Sequence, residues 1–380
     1  MIATVAFRTL GCRLNQAETD AIKSELASHN LHEITGQNPA DLTVINSCAV
    51  TRQAEAKTRG AITAARRISP NGKIAVVGCY SQIAVQELID MPGVFLVLGN
   101  SEKYDLFDFV ERVDRGEKII CVAGPGLSAS TFRAEAHSPA DERIRANLKI
   151  QEGCDYHCAY CIIPRLRGNP RSREPQECLT ETRRLVERGV QEIVLTGINL
   201  GRYESAEGDL TDLVKRLLVE TTIPRIRLSS VEPDLVTPEI IELMRTEPRL
   251  CHYLHIPLQH GSDLILAKMN RRYRCADYAA LVARIKQTMP EVCLGADVMV
   301  GFPGETETEF EEMCRFLENL DINYLHVFRY SPRPGTPAGE MIDHIPDSEK
   351  KRRSEILRQM SRRKRVQFMQ TFSGKTCSVL

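Results

Sequence analysis

Asn147-Leu-Lys-Ile-Gln151 is a short strand-like run, and it leads straight into Gly153-Cys154-Asp155-Tyr156-His157-Cys158-Ala159-Tyr160-Cys161. The second stretch is a Cys-x-x-x-Cys-x-x-Cys loop that brings three thiols close together. Thiolate is a soft ligand suited to iron-sulfur clusters or zinc, and three thiolates leave the fourth corner of a four-iron cluster without a protein ligand. That open corner can bind a substrate. Structural zinc normally takes four ligands, often from two paired Cys-x-x-Cys hooks, and the sequence holds no second hook.

Downstream of this loop the pattern alternates. Strands are predicted at Asn147–Gln151, Glu192–Thr196, Arg225–Ser229, Tyr253–Pro257, Leu294–Val300 and Tyr324–Tyr330. Helices such as Cys178–Arg188, Leu210–Val219, Tyr278–Met289 and Glu307–Asn319 lie between them. These βα units predict a partial (βα)6 TIM-like barrel, with its chemistry at the carboxyl ends of the strands. Gly197, Asn199, Ser229, Glu232, Gln259 and Asp297 fall at or near those ends.

Upstream, strands are expected at Thr4–Leu10, Asp41–Asn46, Lys73–Val77 and Val94–Leu98, separated by helical patterns at Gln16–Ser28, Thr51–Ile68 and Gln82–Ile89. This alternation implies an open parallel sheet of doubly wound type, so the fold class is α/β throughout. Cys12, Cys48 and Cys79 each lie just past a strand end. Ligands bind at that edge of a parallel sheet, so the three are expected to converge as a second metal site. The bland alternative is three buried structural cysteines, since free Cys packs as a small hydrophobe. Under that alternative they would fall inside strands or helices.

Composition bounds the rest. The 380 residues suffice for two or three domains, and no apolar run approaches the ~20 residues of a membrane span. The N-terminus carries no signal-peptide pattern, which predicts a cytoplasmic protein. Thirteen cysteines in a reducing compartment favour metal binding over disulfides. Fifty basic residues balance fifty acidic ones, yet Glu349–Arg365 holds nine Lys or Arg against two Glu. Such a block is either a solvated helix face or a nucleic-acid footprint. A second basic group is Arg165, Arg167, Arg171 and Arg173. Neither Gly-x-Gly-x-x-Gly nor a P-loop motif occurs. His252 and His255 read as packing or hydrogen-bonding residues. Cys121, Cys178, Cys251, Cys275, Cys293, Cys314 and Cys377 have no ligand spacing.

The Cys154 loop, with Tyr160 before its last Cys, resembles the signature of radical S-adenosylmethionine (SAM) enzymes. The order of motifs along the chain resembles the methylthiotransferases within that class. Matching stretches are Thr9–Gln16, Asn46–Thr51, Val77–Gln82, Ile150–Arg173, Arg227–Pro233, Asp297–Glu305 and His326–Ser331. The resemblance implies an N-terminal domain over 1–123 with an auxiliary cluster, a linker over 124–143 and a radical SAM core over 144–345. It further implies a basic connecting helix over 346–373 and, at 374–380, the start of a truncated RNA-binding barrel.

By the same resemblance Cys154, Cys158 and Cys161 hold a 4Fe-4S cluster that binds and cleaves SAM, while Cys12, Cys48 and Cys79 hold a second one. The resulting radical takes hydrogen from C2 of an adenine, and a second SAM donates the methyl group. Tyr160, Gly197, Asn199, Ser229, Glu232, Gln259 and Asp297 are candidates to bind SAM. The loop Leu195–Tyr203 looks most like the branch acting on threonylcarbamoyl-adenosine beside the tRNA anticodon. Isopentenyl-adenosine in tRNA or a ribosomal protein aspartate are the alternative substrates. A non-catalytic iron-sulfur electron carrier is a remote one. Expected partners are tRNA and an electron donor such as flavodoxin or ferredoxin, with no membrane. The RNA-binding candidates are Arg165, Arg167, Arg171, Arg173, Arg352, Arg353, Arg362 and Arg363.

Overall fold

Leu42–Ser47 is buried at every position, as the central strand of a parallel sheet covered on both faces must be. In the computed structural model, which describes residues 2–36, 38–115, 117, 132, 144–377 and 380, this strand is β3. The chain divides into two compact units. Met1–Asp155 and Ile162–Val190 form the first, and Tyr156–Cys161 with Gln191–Leu380 form the second. The expected linker at 124–143 lies, apart from residue 132, outside the described residues.

The first unit opens with β1 (Thr4–Thr9), α1 (Arg13–Ser28), β2 (His32–Glu33), β3, α2 (Arg52–Ile68), β4 (Lys73–Gly78), α3 (Val85–Ile89), β5 (Val94–Leu98) and α4 (Leu106–Asp114). The five strands pair in the order β2-β1-β3-β4-β5, all parallel. Thr51 starts α2 by accepting a hydrogen bond from the Ala54 amide, an ordinary N-cap. One apolar layer, including Ile22, Leu26, Val44, Leu96 and Val110, fills one face of the sheet. Ile62, Val76, Leu88, Ile162 and Leu166 help fill the other. The stub β2 is too short to carry a periodic signal, whereas α4, which is not among the expected helices, buries Leu106, Val110 and Val113 at helical spacing. The helix predicted from Gln82 shortens to Val85–Ile89.

The unit also contains β6 (Arg145–Lys149), β7 (Gln151–Glu152), α5 (Ile163–Arg167), β8 (Arg171–Ser172) and α6 (Pro175–Glu187). β7 and β8 pair antiparallel.

The second unit runs β9 (Glu192–Thr196), β10 (Glu204–Ser205), β11 (Gly208–Asp209), α7 (Leu210–Glu220), β12 (Arg225–Leu228), α8 (Pro238–Thr246), β13 (Tyr253–His255) and α9 (Asp263–Lys268). It continues with α10 (Cys275–Thr288), β14 (Cys293–Val300), α11 (Glu307–Asn319), β15 (Tyr324–Arg329), α12 (Pro337–Glu340) and α13 (Asp347–Gln370). β9 pairs parallel with β12, and β13-β14-β15 form a parallel triplet. Parallel bridges at Ile226–Leu250 and Ser230–His255 tie β12 to the stretch around β13.

Helix α13 runs beside the edge strand β15, where Ser361 Oγ exchanges hydrogen bonds with both backbone groups of Leu325. That contact occupies part of an open strand edge. Along α13, Leu357 and Met360 are buried, while Ile356 is exposed. Residues 374–377 contain no strand.

Candidate functional site

Two cysteine loops of the first unit are entered through glycines in backbone that other residues adopt only with strain. Gly11 precedes Cys12 at φ 98°, and Gly78 precedes Cys79 at φ 96°. A Cβ on Gly11 would lie 2.9 Å from Cys48 Sγ, and one on Gly78 would lie 2.4 Å from Asn46 Oδ1. The turns are therefore tight enough to draw the strand ends together. Burial pushes the Cys48 thiol up to about 11, and the neighbouring Cys79 and Cys12 add to the rise. The three cysteine loops predicted from strand ends lie at one edge of the sheet.

Polar side chains fix these thiols. Asn15 Oδ1 lies 3.7 Å from Cys12 Sγ, while Asn15 Nδ2 donates to the carbonyls of Leu10 and Ser47. Asn100 Nδ2 lies 3.8 Å from Cys79 Sγ, and Lys103 Nζ donates to Asn100 Oδ1 at 3.1 Å. Behind them sits a buried charge cluster. Glu18 is fully buried between Lys103 at 2.6 Å, Arg167 at 2.7 Å and Lys149 at 3.4 Å, and Glu152 joins Lys149 and Arg171 at 2.5 Å each. Burial works against the Glu18 charge, but Arg167 and the two lysines hold its carboxyl well below the usual range. Burial lowers Lys103 to about 8. Burial also opposes the charge on Arg167, yet Cys79, Glu18 and Cys12 keep it firmly protonated.

Four cations against two carboxylates leave a local surplus of positive charge beside three thiols. Thiolates bound to a metal cluster supply the missing negative charge, so the donor set and its surroundings fit iron-sulfur ligation.

Cys154 lies in the part of the other cysteine loop that belongs to the first unit, its amide donating to the Gly168 carbonyl at 3.0 Å. Cys158 and Cys161 belong to the second unit. Their segment is pinned by the Ala159 amide on the Met269 carbonyl and by Asn270 Nδ2 on the His157 carbonyl. Arg271 is the residue that sequence reasoning missed. Its guanidinium lies 3.1 Å from Cys158 Sγ and 3.4 Å from the Tyr160 hydroxyl, and it also contacts Glu232. A cation on a thiol again suits a thiolate ligand. Burial raises the Glu232 carboxyl even though Arg271 faces it. No spacing rule could reveal Arg271, because the fold alone brings its loop to Cys158.

The remaining expected cofactor residues differ in burial and in partners. Gly197 and Ser229 are half-buried, Asn199 is buried, and Gln259 takes a left-handed backbone at φ 70° while its amide donates to the Asp297 carbonyl. Asp297 is taken up by two histidines: His255 Nε2 lies 2.9 Å and His326 Nδ1 3.5 Å from its Oδ1. His255 is thus a hydrogen-bonding residue, as expected, whereas His252 is exposed.

Three RNA-binding candidates need correction. Arg167, Arg173 and Arg353 are buried, because each neutralises a carboxylate of its own unit: Glu18, Glu177 and Glu305 respectively. They have no surface to offer a phosphate. Arg171 is committed to Glu152, and Arg352, Arg362 and Arg363 are exposed but paired with glutamates. Arg165 is exposed.

The parallel strands of the second unit and the thiol loop that opens it define an enzyme of the radical SAM class. Residues 148–317 match the family described as Radical SAM superfamily, and residues 4–99 match Uncharacterized protein family UPF0004. The fold is similar to that of a radical S-adenosylmethionine methyltransferase, TsrM, from Kitasatospora setae. The TM-score is 0.65 at 14% identity, covering 89% of this chain and 74% of that one.

Sequence relatives narrow the class. The chain is 36% identical to "Threonylcarbamoyladenosine tRNA methylthiotransferase MtaB" of Bacillus subtilis, across 100% of its own length and 85% of the relative. It is 37% identical to "Ribosomal protein uS12 methylthiotransferase RimO" of Desulforudis audaxviator, across 94% of its length and 81% of the relative. The chain belongs to the methylthiotransferase family of radical SAM enzymes.

Proposed function

We propose that the chain transfers a methylthio group to C2 of threonylcarbamoyl-adenosine beside the tRNA anticodon. The observation that carries this reading is the match to the Bacillus subtilis enzyme, which extends over the whole chain, whereas the ribosomal-protein relative matches over 94% of it. Cys154, Cys158 and Cys161 would hold the SAM-binding 4Fe-4S cluster, on the strength of their spacing and of Arg271 beside Cys158. Cys12, Cys48 and Cys79 would hold the second cluster, on the strength of their convergence. When bound, the clusters and SAM supply the electrons, the radical, the sulfur and the methyl group, which acid-base side chains cannot.

The protein's own part is placement and charge. Asn15 and Asn100 orient thiols, Arg167 and its cluster offset thiolate charge, and Arg271 does the same for Cys158 while holding Glu232. Residues 1–123, 144–345 and 346–373 act as the auxiliary domain, the catalytic core and a basic connecting helix. A flavodoxin or ferredoxin supplies electrons, and the cytoplasm is the site of action.

Nucleoside mass spectrometry of tRNA from cells with and without the gene tests the reading. The 2-methylthio derivative of threonylcarbamoyl-adenosine should vanish with the gene. Its persistence, or loss of a methylthio group from a ribosomal protein instead, would overturn the substrate.

A further inference from the structure

One face of the triplet β13-β14-β15 buries Leu254, Leu294, Ala296, Val298 and Leu325. Side chains alternate along a strand, so Tyr253, His255, Asp297, Tyr324, His326 and Phe328 share the opposite face. That face is a connected polar line. The Tyr253 and Tyr324 hydroxyls lie 2.6 Å apart, and the Tyr324 hydroxyl lies 3.2 Å from His255 Nδ1. His255 Nε2 and His326 Nδ1 then both face Asp297 Oδ1, at 2.9 and 3.5 Å. The line ends in the open: the His326 side chain is 56% exposed, and Phe328 is 46% exposed. Among the described residues, His326 Nε2 has no partner.

Resting on the tRNA reading above, we infer that this face receives the modified adenosine. The purine stacks on Phe328, and His326, held by Asp297, binds the carboxylate of the threonylcarbamoyl group. Stacking on an exposed aromatic is how proteins hold a splayed-out base. Residues two apart on a strand are ~7 Å apart, a span that suits a base on one and the acid end of its N6 substituent on the other. Asp297 is a firm anchor. Burial opposes its charge, but hydrogen bonds from His255 and His326 hold its carboxyl at about 2. The Gln259 amide donates to the Asp297 carbonyl, the Tyr273 hydroxyl donates to the adjoining Leu258 carbonyl, and Arg271 reaches both Tyr273 and Cys158, which ties Asp297 to the thiol-bearing segment of its unit. An isopentenyl group placed here would cover His326 and Asp297 without bonding them, and a site built for polar bonds rejects such an analogue.

The test uses the reconstituted enzyme with tRNA carrying either threonylcarbamoyl-adenosine or isopentenyl-adenosine. His326→Leu should raise KM for the first substrate about 10- to 100-fold, the range for removing a bond to a charged group, with a smaller change in kcat. His326→Gln, which keeps a donor, should recover part of that deficit. Phe328→Ala should lower kcat/KM for any adenosine substrate alike. An unchanged KM in His326→Leu, with the unaltered enzyme active on threonylcarbamoyl-adenosine, would overturn this inference alone. An unaltered enzyme inactive on that substrate but active on the other would overturn the proposed function itself. A divalent cation retained in the purified enzyme and released on His326→Gln would reassign the face to metal binding and overturn the inference as well.

Discussion

At the scale of single residues, the decisive fact is how buried charges are balanced. Glu18 is the shared partner of Lys103, Lys149 and Arg167, so removing its charge takes the carboxylate from buried Lys103 and leaves Lys149 and Arg167 to share Glu152 with Arg171. Glu18→Gln should cost about 3–5 kcal/mol, the usual penalty for uncompensated buried charge, read as a lower urea midpoint for the apo-protein. Asp297 gives a pH signature. Its carboxyl stands at about 2 in the folded chain against an ordinary 3.8, so its contribution is fully present above the ordinary value and disappears as pH falls toward 2. About 2 kcal/mol of stability should therefore disappear between pH 4 and pH 2 through this group. Unfolding of Asp297→Asn followed over the same range should show a correspondingly shallower decline, and a parallel decline would show that the histidines do not hold this carboxylate.

Elements matter through where they end. β1, β3 and β4 stop at one edge of their sheet, and the loops that follow carry Cys12, Cys48 and Cys79. Neither the strands nor the cysteines alone make a site, but parallel pairing puts all three loops on one edge. The two proposed clusters, if each holds four irons, predict about eight irons per chain. Replacing Cys12, Cys48 and Cys79 by Ala should halve the iron and abolish methylthio transfer while 5′-deoxyadenosine is still produced from SAM. Iron analysis with product chromatography checks both, and undiminished iron would remove the second cluster from the proposal. Helix α13 shows the other use of an element. Its Arg353 reaches the fully buried Glu305, which also accepts the Gly301 and Phe302 amides, so a basic helix is anchored into the loop after β14.

For the molecule as a whole, formal charge is zero, so attraction to RNA depends on where basic residues are concentrated. The structure splits the basic run into an anchoring stripe and a solvent stripe. Lys350 and Arg353 are buried, whereas Lys351, Arg358 and Arg365 are exposed. Affinity for tRNA should fall steeply with salt. Changing Arg358, Arg362 and Arg365 to Gln should make the log–log slope shallower by about one unit for each phosphate that the helix no longer neutralises. Equal slopes would make α13 a support for β15 and nothing more.

The sequence by itself determined the α/β class, every described strand longer than two residues, and the spacing of both cysteine triads. Those signals are local: hydrophobic period, turn glycines, and ligands spaced within a few residues or set at strand ends. Arg271, and the pairing of His255 and His326 with Asp297, show why the rest was hidden. Each such contact depends on a neighbour from another strand or loop. Arg167 and Arg353 show the converse, since a run of arginines looks like an RNA footprint until folding places a glutamate against one of them in a dry interior. Whether a charge faces water or a buried partner depends on packing between distant segments, and only the tertiary structure decided that.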